Sequence, residues 1–488
     1  MSKGANPCSR KIHQIIVVAG MVLVSGCAVG PNYVRPNATT PAPAYKGVSG
    51  EWKIATPQAH LPKGKWWEAF SDSTLDQLEA DAIIANEDIK IALARFEQAR
   101  ATADVTLSDF YPHIVAGADA TRQHDSENRP LGNTGKAAGQ GYTYDNFAVP
   151  FNFSYELDIW GRVRREAESA AAGLQANAAD LEGVRLSIAA EVAADYFTLR
   201  TRDADKAMLL KTIEAYRKSL QLVHNRRAAG LVSDLDVAQA ETILKTTEAQ
   251  LPDNELQRTK FKNALAVLVG KNPSVFELVE QLLDIAPPLI PAGLPSTLLE
   301  RRPDVAAAER RMAAANANVG VVTAAFFPTI GLNAVGGFQG INAGTLFNWS
   351  STLWAVGSSL TMPLFEGGKL KAKLHGAEAE YDETVAHYRK TVLRAFADVE
   401  DNLAAQRLLN DEYEQEASAF QSADRQLRIA DNQYRAGLIT YLIVASAQVT
   451  ALGLQRALVR LRGEQLTATV ALIKSLGGGW HADRVELH

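Results

Sequence analysis

The sequence predicts a mixed α and β chain built by internal duplication of long α-helical hairpins, with two strands in each half. Three observations carry this. A helical pattern runs from Trp160 to Glu241, with no proline between Pro150 and Pro252 and one break at Arg226-Arg227-Ala228-Ala229-Gly230. Within it Leu174, Leu181, Val184, Ile188, Val192, Tyr196 and Leu199 recur at three- and four-residue spacing and share one helix face. Next, Phe147, Val149, Phe151, Phe153 and Tyr155 alternate with Ala148, Pro150, Asn152, Ser154 and Glu156, the period of a strand with one apolar face. Finally, the same marks return in the same order. Arg95 and Phe110-Tyr111-Pro112 match Arg311 and Phe326-Phe327-Pro328 at a shift of 216 residues. Gly161 and Asp195 match Gly367 and Asp401 at 206, and Ala229-Gly230-Leu231 matches Ala436-Gly437-Leu438 at 207.

The elements follow in order. Lys3, Arg10 and Lys11 form a basic n-region, Ile15 to Val24 an apolar segment too short to span a bilayer, and Val24-Ser25-Gly26-Cys27 a lipobox. Cys27 is then the acylated first residue of the mature chain, and Ala28 after it resembles lipoproteins sent to the outer membrane. The bland alternative is an ordinary signal peptide that happens to contain a cysteine. With Cys8 inside the signal, the mature chain has no disulfide and no cysteine metal site. Residues 28–64, rich in Pro, Thr, Ala and Gly, read as an extended tether. Trp66-Trp67-Glu68-Ala69-Phe70 ends it, and Asp72 or Ser73 caps a helix running to about Phe110, with Leu75, Leu78, Ile89, Leu93 and Phe96 on its buried face. A weakly alternating strand over 111–122 and a polar, Gly-rich loop from Gln123 to Thr143 precede the strand at Phe147.

The helix from Gly161 to Ala229 would be roughly 100 Å long, and no globular domain needs that length. It turns at Gly230 and returns from Asp234 to about Gly270. Prolines 273, 287, 288, 291, 295 and 303 mark a linker between the halves. The second half repeats the plan: a helix to Phe326, a strand with Ile330, Leu332, Ala334, Gly336 and Phe338 on one face, and a shorter loop. A strand with Trp354, Val356, Leu360 and Met362 on one face follows, then a hairpin from Gly367 to about Leu476 turning at Gly437. The chain thus divides into a signal peptide (1–26), a lipid anchor with extended tether or belt (27–70), a first repeat (71–270), a linker or belt (271–300), a second repeat (301–476) and a tail (477–488).

Four strands cannot close, and an open edge facing lipid would leave its N–H and C=O groups unpaired. Barrels need about eight strands or more. Three copies give twelve, and Ala-rich helices pack closely into a wall, so trimerisation is the economical closure; a higher ring satisfies the same argument.

Cys27-Ala28-Val29-Gly30-Pro31-Asn32-Tyr33-Val34-Arg35-Pro36, Trp66-Trp67 with Phe70, Asp72, Leu75 and Leu78, Leu299-Glu300-Arg301-Arg302-Pro303-Asp304-Val305, and Leu476-Gly477-Gly478-Gly479-Trp480 together resemble the NodT branch of the outer membrane factor (TolC-like) family over essentially the whole mature chain. The resemblance implies a homotrimer whose twelve-stranded transmembrane β-barrel continues into a long periplasmic α-barrel. It implies the exit duct of a tripartite (RND-type) efflux pump, working with a periplasmic adaptor and an inner-membrane pump. It implies that Ala229, Gly230, Leu231, Ser233, Asp234, Ala436, Gly437 and Leu438 form adaptor-docking tips, and that the turn holding Tyr434, Arg435, Tyr441, Leu442 and Ser446 is a gate. Tyr434 and Arg435 would tie neighbouring helices, and Leu442 would form an apolar constriction. Family members often carry an acid where Ser446 stands, and serine cannot make a cation-binding acidic ring. Asp234 and Asp236 could supply that charge, although Ser233 with Asp236 also resembles a capping box and helix-start acids are usually solvated.

Enzyme readings find no support. The nine histidines are scattered, with no His-Glu-x-x-His, phosphate-binding loop or nucleophile elbow; His375 and His387 lie twelve residues apart. No cofactor or metal is expected beyond lipid on Cys27. The net charge of −5 and the lack of a basic face argue against nucleic acid. The expected cargo is drugs or other toxic small molecules. A copper or silver efflux duct is an alternative that the three mature methionines, Met208, Met312 and Met362, do not favour, and a type I secretion duct is another. A structural coiled-coil lipoprotein would leave the alternating strands and the duplication unexplained.

Overall fold

The computed structural model describes residues 28–35, 64–127, 141–283, 285–288 and 301–478. The expected signal peptide, Cys27, residues 36–63 of the tether, residues 289–300 of the linker and the tail beyond 478 lie outside the described residues. The chain divides into two compact units, the first drawn from Met1–Pro36, Gln98–Leu174 and Arg310–Ala386, the second from Asn37–Glu97, Gln175–Glu309 and His387–His488. The elements are α1 (Ser73–Ala85), α2 (Glu87–Ser108), β1 (His113–Ala116), β2 (Asp119–Asp125), β3 (Tyr142–Leu157), α3 (Arg162–Ala228), α4 (Asp234–Glu248), α5 (Gln250–Leu268), α6 (Pro303–Ala324), β4 (Thr329–Gly340), β5 (Thr352–Thr361), α7 (Lys369–Arg435) and α8 (Tyr441–Ser475). The chain is mostly helical, and α3 and α7, the corresponding helices of the two halves, each run 67 residues without a break.

The first unit is an antiparallel sheet with helix ends around it. β1 and β2 both pair with β3, β3 pairs with β4, and β4 with β5, so the two halves meet at the β3–β4 ladder. β1 and β2 are one strand in register, since Ala116 faces Phe151 and Asp119 faces Ala148. The gap between them lies opposite Pro150. The Gly117 amide donates to the Pro150 carbonyl at 2.9 Å, but Pro150 has no N–H to return. Strand structure extends through Asp125, beyond the expected 111–122, and β3 begins at Tyr142, so the polar loop is shorter than its composition suggested.

The register places Ile114, Phe151, Phe153, Leu332, Ala334, Val356 and Leu360 on one face. The other face carries His113, Asn152, Ser154, Asn333, Gln339 and Ser359, with Asn333 Nδ2 donating to Ser359 Oγ and Gln339 Nε2 to Asn146 Oδ1. Among the described residues nothing covers the apolar face: Trp354 is 79% exposed, and Ile114, Val356 and Leu360 are comparably bare. Met362, expected on this face, falls just past the end of β5.

Residues 28–33 lie along this unit as a strap. The Val29 amide donates to the Trp160 carbonyl at 3.0 Å, Asn316 Nδ2 to the Pro31 carbonyl, and buried Arg165 donates to the Gly30 carbonyl and Asn32 Oδ1. Trp160 stacks on Phe327, 4.8 Å between ring centroids, and its Nε1 donates to the Pro328 carbonyl. The Phe-aromatic-Pro mark of the second half is thereby tied to the start of α3.

The second unit is helical. Trp66, Trp67 and Phe70 are buried, with Phe70 against Phe197 of α3 at 4.7 Å. Asp72 caps α1 through Oδ1, which accepts from the Thr74 and Leu75 amides, while Oδ2 accepts from the Tyr196 hydroxyl at 2.6 Å. Burial and that acceptor push the Tyr196 phenol up to about 12. The helix expected from 73 to about 110 is two, because Asn86 leaves helical geometry and its Oδ1 caps α2 by accepting from the Asp88 and Ile89 amides. On α2 Ile89 and Ala92 are buried, but Leu93, expected on the buried face, is 43% exposed. The return helix of the first hairpin is likewise interrupted at Ala249. Pro252 stands four residues beyond Glu248 and cannot bond to its carbonyl.

Two charge clusters, the first of them buried throughout, join elements of this unit. Asp203 accepts from Arg200, from Arg258 Nε at 2.6 Å and from the Gln281 amide, while the same arginines donate to the Val279 and Leu278 carbonyls. These bonds fasten residues 278–281, part of the expected belt, onto α3 and α5. Arg456 of α8 makes a two-pronged pair with Asp205 of α3 and reaches Gln250 of α5.

Candidate functional site

The two helix-to-helix turns of the second unit are the candidate site. Both are built alike. Gly230 and Gly437 take φ of +72° and +77°, a left-handed conformation open to glycine at little cost. At the first turn the Leu231 amide donates to the Arg226 carbonyl and the Gly230 amide to the Arg227 carbonyl. At the second, Leu438 donates to Gln433 and Gly437 to Tyr434, all at 2.9 Å. This is the Schellman pattern, which satisfies carbonyls that a helix end cannot. The Ala-Gly-Leu repeat in the sequence is therefore a repeated helix stop.

The return helices start differently. Ser233 and Asp236 form a reciprocal capping box on α4, with the Ser233 amide donating to Asp236 Oδ2 at 3.0 Å. Asp234 is held by both nitrogens of an Arg227 fork, at 2.6 and 2.9 Å, and this partner keeps its carboxyl below the ordinary range. Both acids of the first turn are thus engaged locally. Thr440 precedes α8 without a side-chain cap.

Between the turns lies a small core of Val223, Ala240, Ala430, Tyr434, Tyr441 and Val444. The Tyr434 and Tyr441 rings meet edge to face at 5.5 Å. Burial raises both phenols above their ordinary value, opposed at Tyr434 by the Arg226 charge and at Tyr441 by hydrogen bonds with Ser219 and Gln448. The Tyr441 hydroxyl donates to Gln448 Oε1 at 3.2 Å, and the Tyr216 hydroxyl donates to the Gln448 carbonyl at 2.9 Å. The Tyr216 bond, together with Ser219 Oγ, which lies 3.4 Å from the Tyr441 hydroxyl and accepts from Gln448 Nε2 at 3.4 Å, ties α3 to α8 just inside the turns.

The remaining residues singled out from the sequence face solvent. Leu442 is 57% exposed, and Ser446 and Val449 continue its stripe along α8. Ala229, Leu231, Ala436 and Leu438 form exposed tips. Arg435 pairs with Asp431 of its own helix at 2.8 Å. Among the described residues, Arg226, which the sequence reading passed over, is a side chain that crosses from one turn to the other. Its guanidinium donates to the Tyr434 carbonyl and stands 4.7 Å from the centre of the Tyr434 ring. The only trace in the sequence is an Arg-Arg pair ahead of Ala-Ala-Gly, which reads equally well as favourable charge at a helix C-terminus.

Comparison with known proteins gives this arrangement a context. The family model described as outer membrane efflux protein matches residues 78–271 and again 294–478, one match per half. The chain is 31% identical over 473 residues to the probable efflux pump outer membrane protein TtgC of Pseudomonas putida, covering 94% of each chain. It is 33% identical over 470 residues to the pyoverdine export outer membrane protein OpmQ of Pseudomonas aeruginosa, covering 95% of this chain and 98% of the relative. Among solved structures, the outer-membrane channel OprN superposes with a TM-score of 0.83 at 30% identity, covering 93% of this chain and all of that one. The chain belongs to the outer membrane efflux protein family.

Proposed function

We propose that three copies of this chain form one passive exit duct, with four strand positions from each copy closing a twelve-stranded barrel in the outer membrane. The observation that carries this is the sheet: one bare apolar face, one polar face, and outer edges at β1/β2 and β5 with no partner among the described residues. Lipid against the apolar face and a neighbouring copy at each edge would satisfy both. Long helices from the three copies line the periplasmic part of the duct. Cys27 carries the lipid anchor, the Ala-Gly-Leu tips meet a periplasmic adaptor, and an inner-membrane pump selects the cargo. Small toxic organic compounds are the cargo class, because relatives are named for efflux of toluene and antibiotics.

The second turn is the gate. Leu442 projects from the first turn of α8 while Tyr434 and Tyr441 are buried behind it, so an apolar constriction rests on a packed base. Replacing Tyr434 with alanine would empty that base, so Leu442→Ala is the cleaner probe. Mass measurement of detergent-solubilised protein should give a trimer, and Leu442→Ala should raise single-channel conductance in planar bilayers. A stable monomer would remove the barrel assignment, and an intact trimer with unaltered conductance would remove the gate.

A further inference from the structure

We propose that the segment joining β5 to α7 is a binding surface for anionic phospholipid headgroups. Lys369, Lys371 and Lys373 meet the phosphates, and Leu364 and Phe365 meet the acyl chains. The proposal rests on the reading of the sheet as part of a membrane barrel. Leu364 and Phe365 lie just beyond β5 and are 89% and 91% exposed. They carry the bare apolar surface of Val356, Leu360 and Met362 up to the helix start. Lys369, Lys371 and Lys373 come next, all exposed and without an ion-pair partner among the described residues. Glu366, the acid of this stretch, is exposed and pairs with none of them.

The first half shows the same junction neutralised from within. At a shift of 207 residues, Arg162 and Arg164 match Lys369 and Lys371. Arg162 pairs with Glu156 at 2.9 Å and Glu166 at 2.7 Å, and Arg164 with Asp158 at 3.1 Å. The second half has Pro363 for Glu156, Phe365 for Asp158 and Lys373 for Glu166. Each neutralising acid has given way to a proline, an aromatic ring or a further cation. The result repels itself. Lys369 and Lys373 stand one turn apart on one helix face, where like charges destabilise. All three lysines crowd the positive end of the α7 dipole, and no acid occupies its first turn. A layer of phosphates reverses each of these costs. Lysine stems and an aromatic ring also suit the boundary between headgroups and acyl chains. Because α7 continues from the sheet into the periplasmic part of the duct, the surface it meets is the periplasmic leaflet, which is phospholipid.

The test places the full-length protein in phosphatidylcholine vesicles with a trace of spin-labelled phosphatidylglycerol or spin-labelled phosphatidylcholine. It reads the protein-bound fraction of each label. Wild type should favour phosphatidylglycerol, and raised salt should weaken that preference. Lys369→Gln, Lys371→Gln and Lys373→Gln together should cancel it, with roughly a fivefold loss of association for each lysine. Lys211→Gln, which removes an exposed lysine in the middle of α3, should leave it intact. Equal binding of the two lipids by wild type, or full preference in the triple variant, overturns the proposal and leaves the barrel standing. A wild type that holds neither lipid overturns the barrel reading and the proposal together. Inorganic phosphate that abolishes the preference beyond the effect of sodium chloride at equal ionic strength assigns the lysines to a free anion and overturns the lipid. If the triple variant does not assemble, the three single glutamine variants decide. Each must lower the preference, and unchanged preference in all three assigns the lysines to a contact between copies instead.

Discussion

Gly30 and Gly320 meet backbone to backbone: a Cβ built on Gly30 would lie 2.5 Å from the Gly320 Cα. Gly30 also sits at φ +90°, so any side chain there meets both strain and a wall. Beside it, a Cβ on Gly161 would lie 2.7 Å from the Ala28 Cβ. The strap at residues 28–33 is therefore seated by missing side chains as much as by the bonds it makes.

Gly320→Val should unseat the strap. Its Cβ would press on Arg165 at 3.0 Å, the residue that grips the Gly30 carbonyl and Asn32. Overpacking of this kind costs about 1–3 kcal/mol. Hydrogen exchange at the Val29 amide, bonded to the Trp160 carbonyl, should quicken sharply. Unchanged protection there would show that the strap is not held by this seat.

The sheet offers a paired test on adjacent glycines. Pro150 faces Gly337 on β4, and a Cβ on Gly337 would run into the Val149 carbonyl oxygen, backbone that cannot step aside. A Cβ on Gly336 would meet nothing within 4 Å. Gly337→Val should part the ladder that joins the two halves and abolish the heat-dependent shift in electrophoretic mobility expected of a closed barrel. Gly336→Val should keep that shift. Equal behaviour of the two would contradict the register.

Which parts of this architecture were legible depended on whether their signals were local. The alternation from Phe147 to Tyr155 stands out because one face is wholly apolar. β2 is harder to read: its Asp119, Thr121 and Gln123 are polar and its apolar partners lie on another strand. The helix break at Asn86 left a cap signal, Asn-Glu-Asp, that the continuing apolar spacing obscured, and Pro252 announced the interruption at Ala249. The turns were readable from Ala-Gly-Leu, since a left-handed glycine is a local requirement. Arg226 was not, because its partner Tyr434 is 208 residues away and nothing about an arginine at a helix end says which carbonyl it will grip.

The buried charges around Asp203 should be intolerant of partial removal. Asp203 and Arg200 are 2–3% exposed, and Arg258 is scarcely more. Asp203→Ala strands two buried guanidinium groups, and removing one partner of a buried pair costs about 3–5 kcal/mol. It also frees the Gln281 amide, so denaturant unfolding should shift by that amount while residues 278–281 become sensitive to protease. A shift below about 1 kcal/mol, the range of an exposed pair, would mean that water reaches this cluster in the assembled protein.

Asp195 should leave a pH signature of the opposite sign to an ordinary salt-bridged acid. Burial, with the Glu191 charge one turn away adding to it, raises its carboxyl from the ordinary aspartate range to about 6. Above pH 6 the folded protein carries an ionised carboxylate in a poorly solvated place, a penalty that the unfolded chain does not share. Between pH 6 and 4 the folded state binds a proton that the unfolded state does not. This group's contribution to stability therefore grows as the pH falls through that window and is level below it. Asp195→Asn removes the charge and should be more stable than wild type at pH 7.5, with the gap closing as the pH drops from 6 to 4. Thermal unfolding of the two proteins in the same detergent across that range measures the gap directly, since the other carboxylates titrate alike in both. A gap independent of pH would mean that Asp195 stays well solvated in the assembled duct.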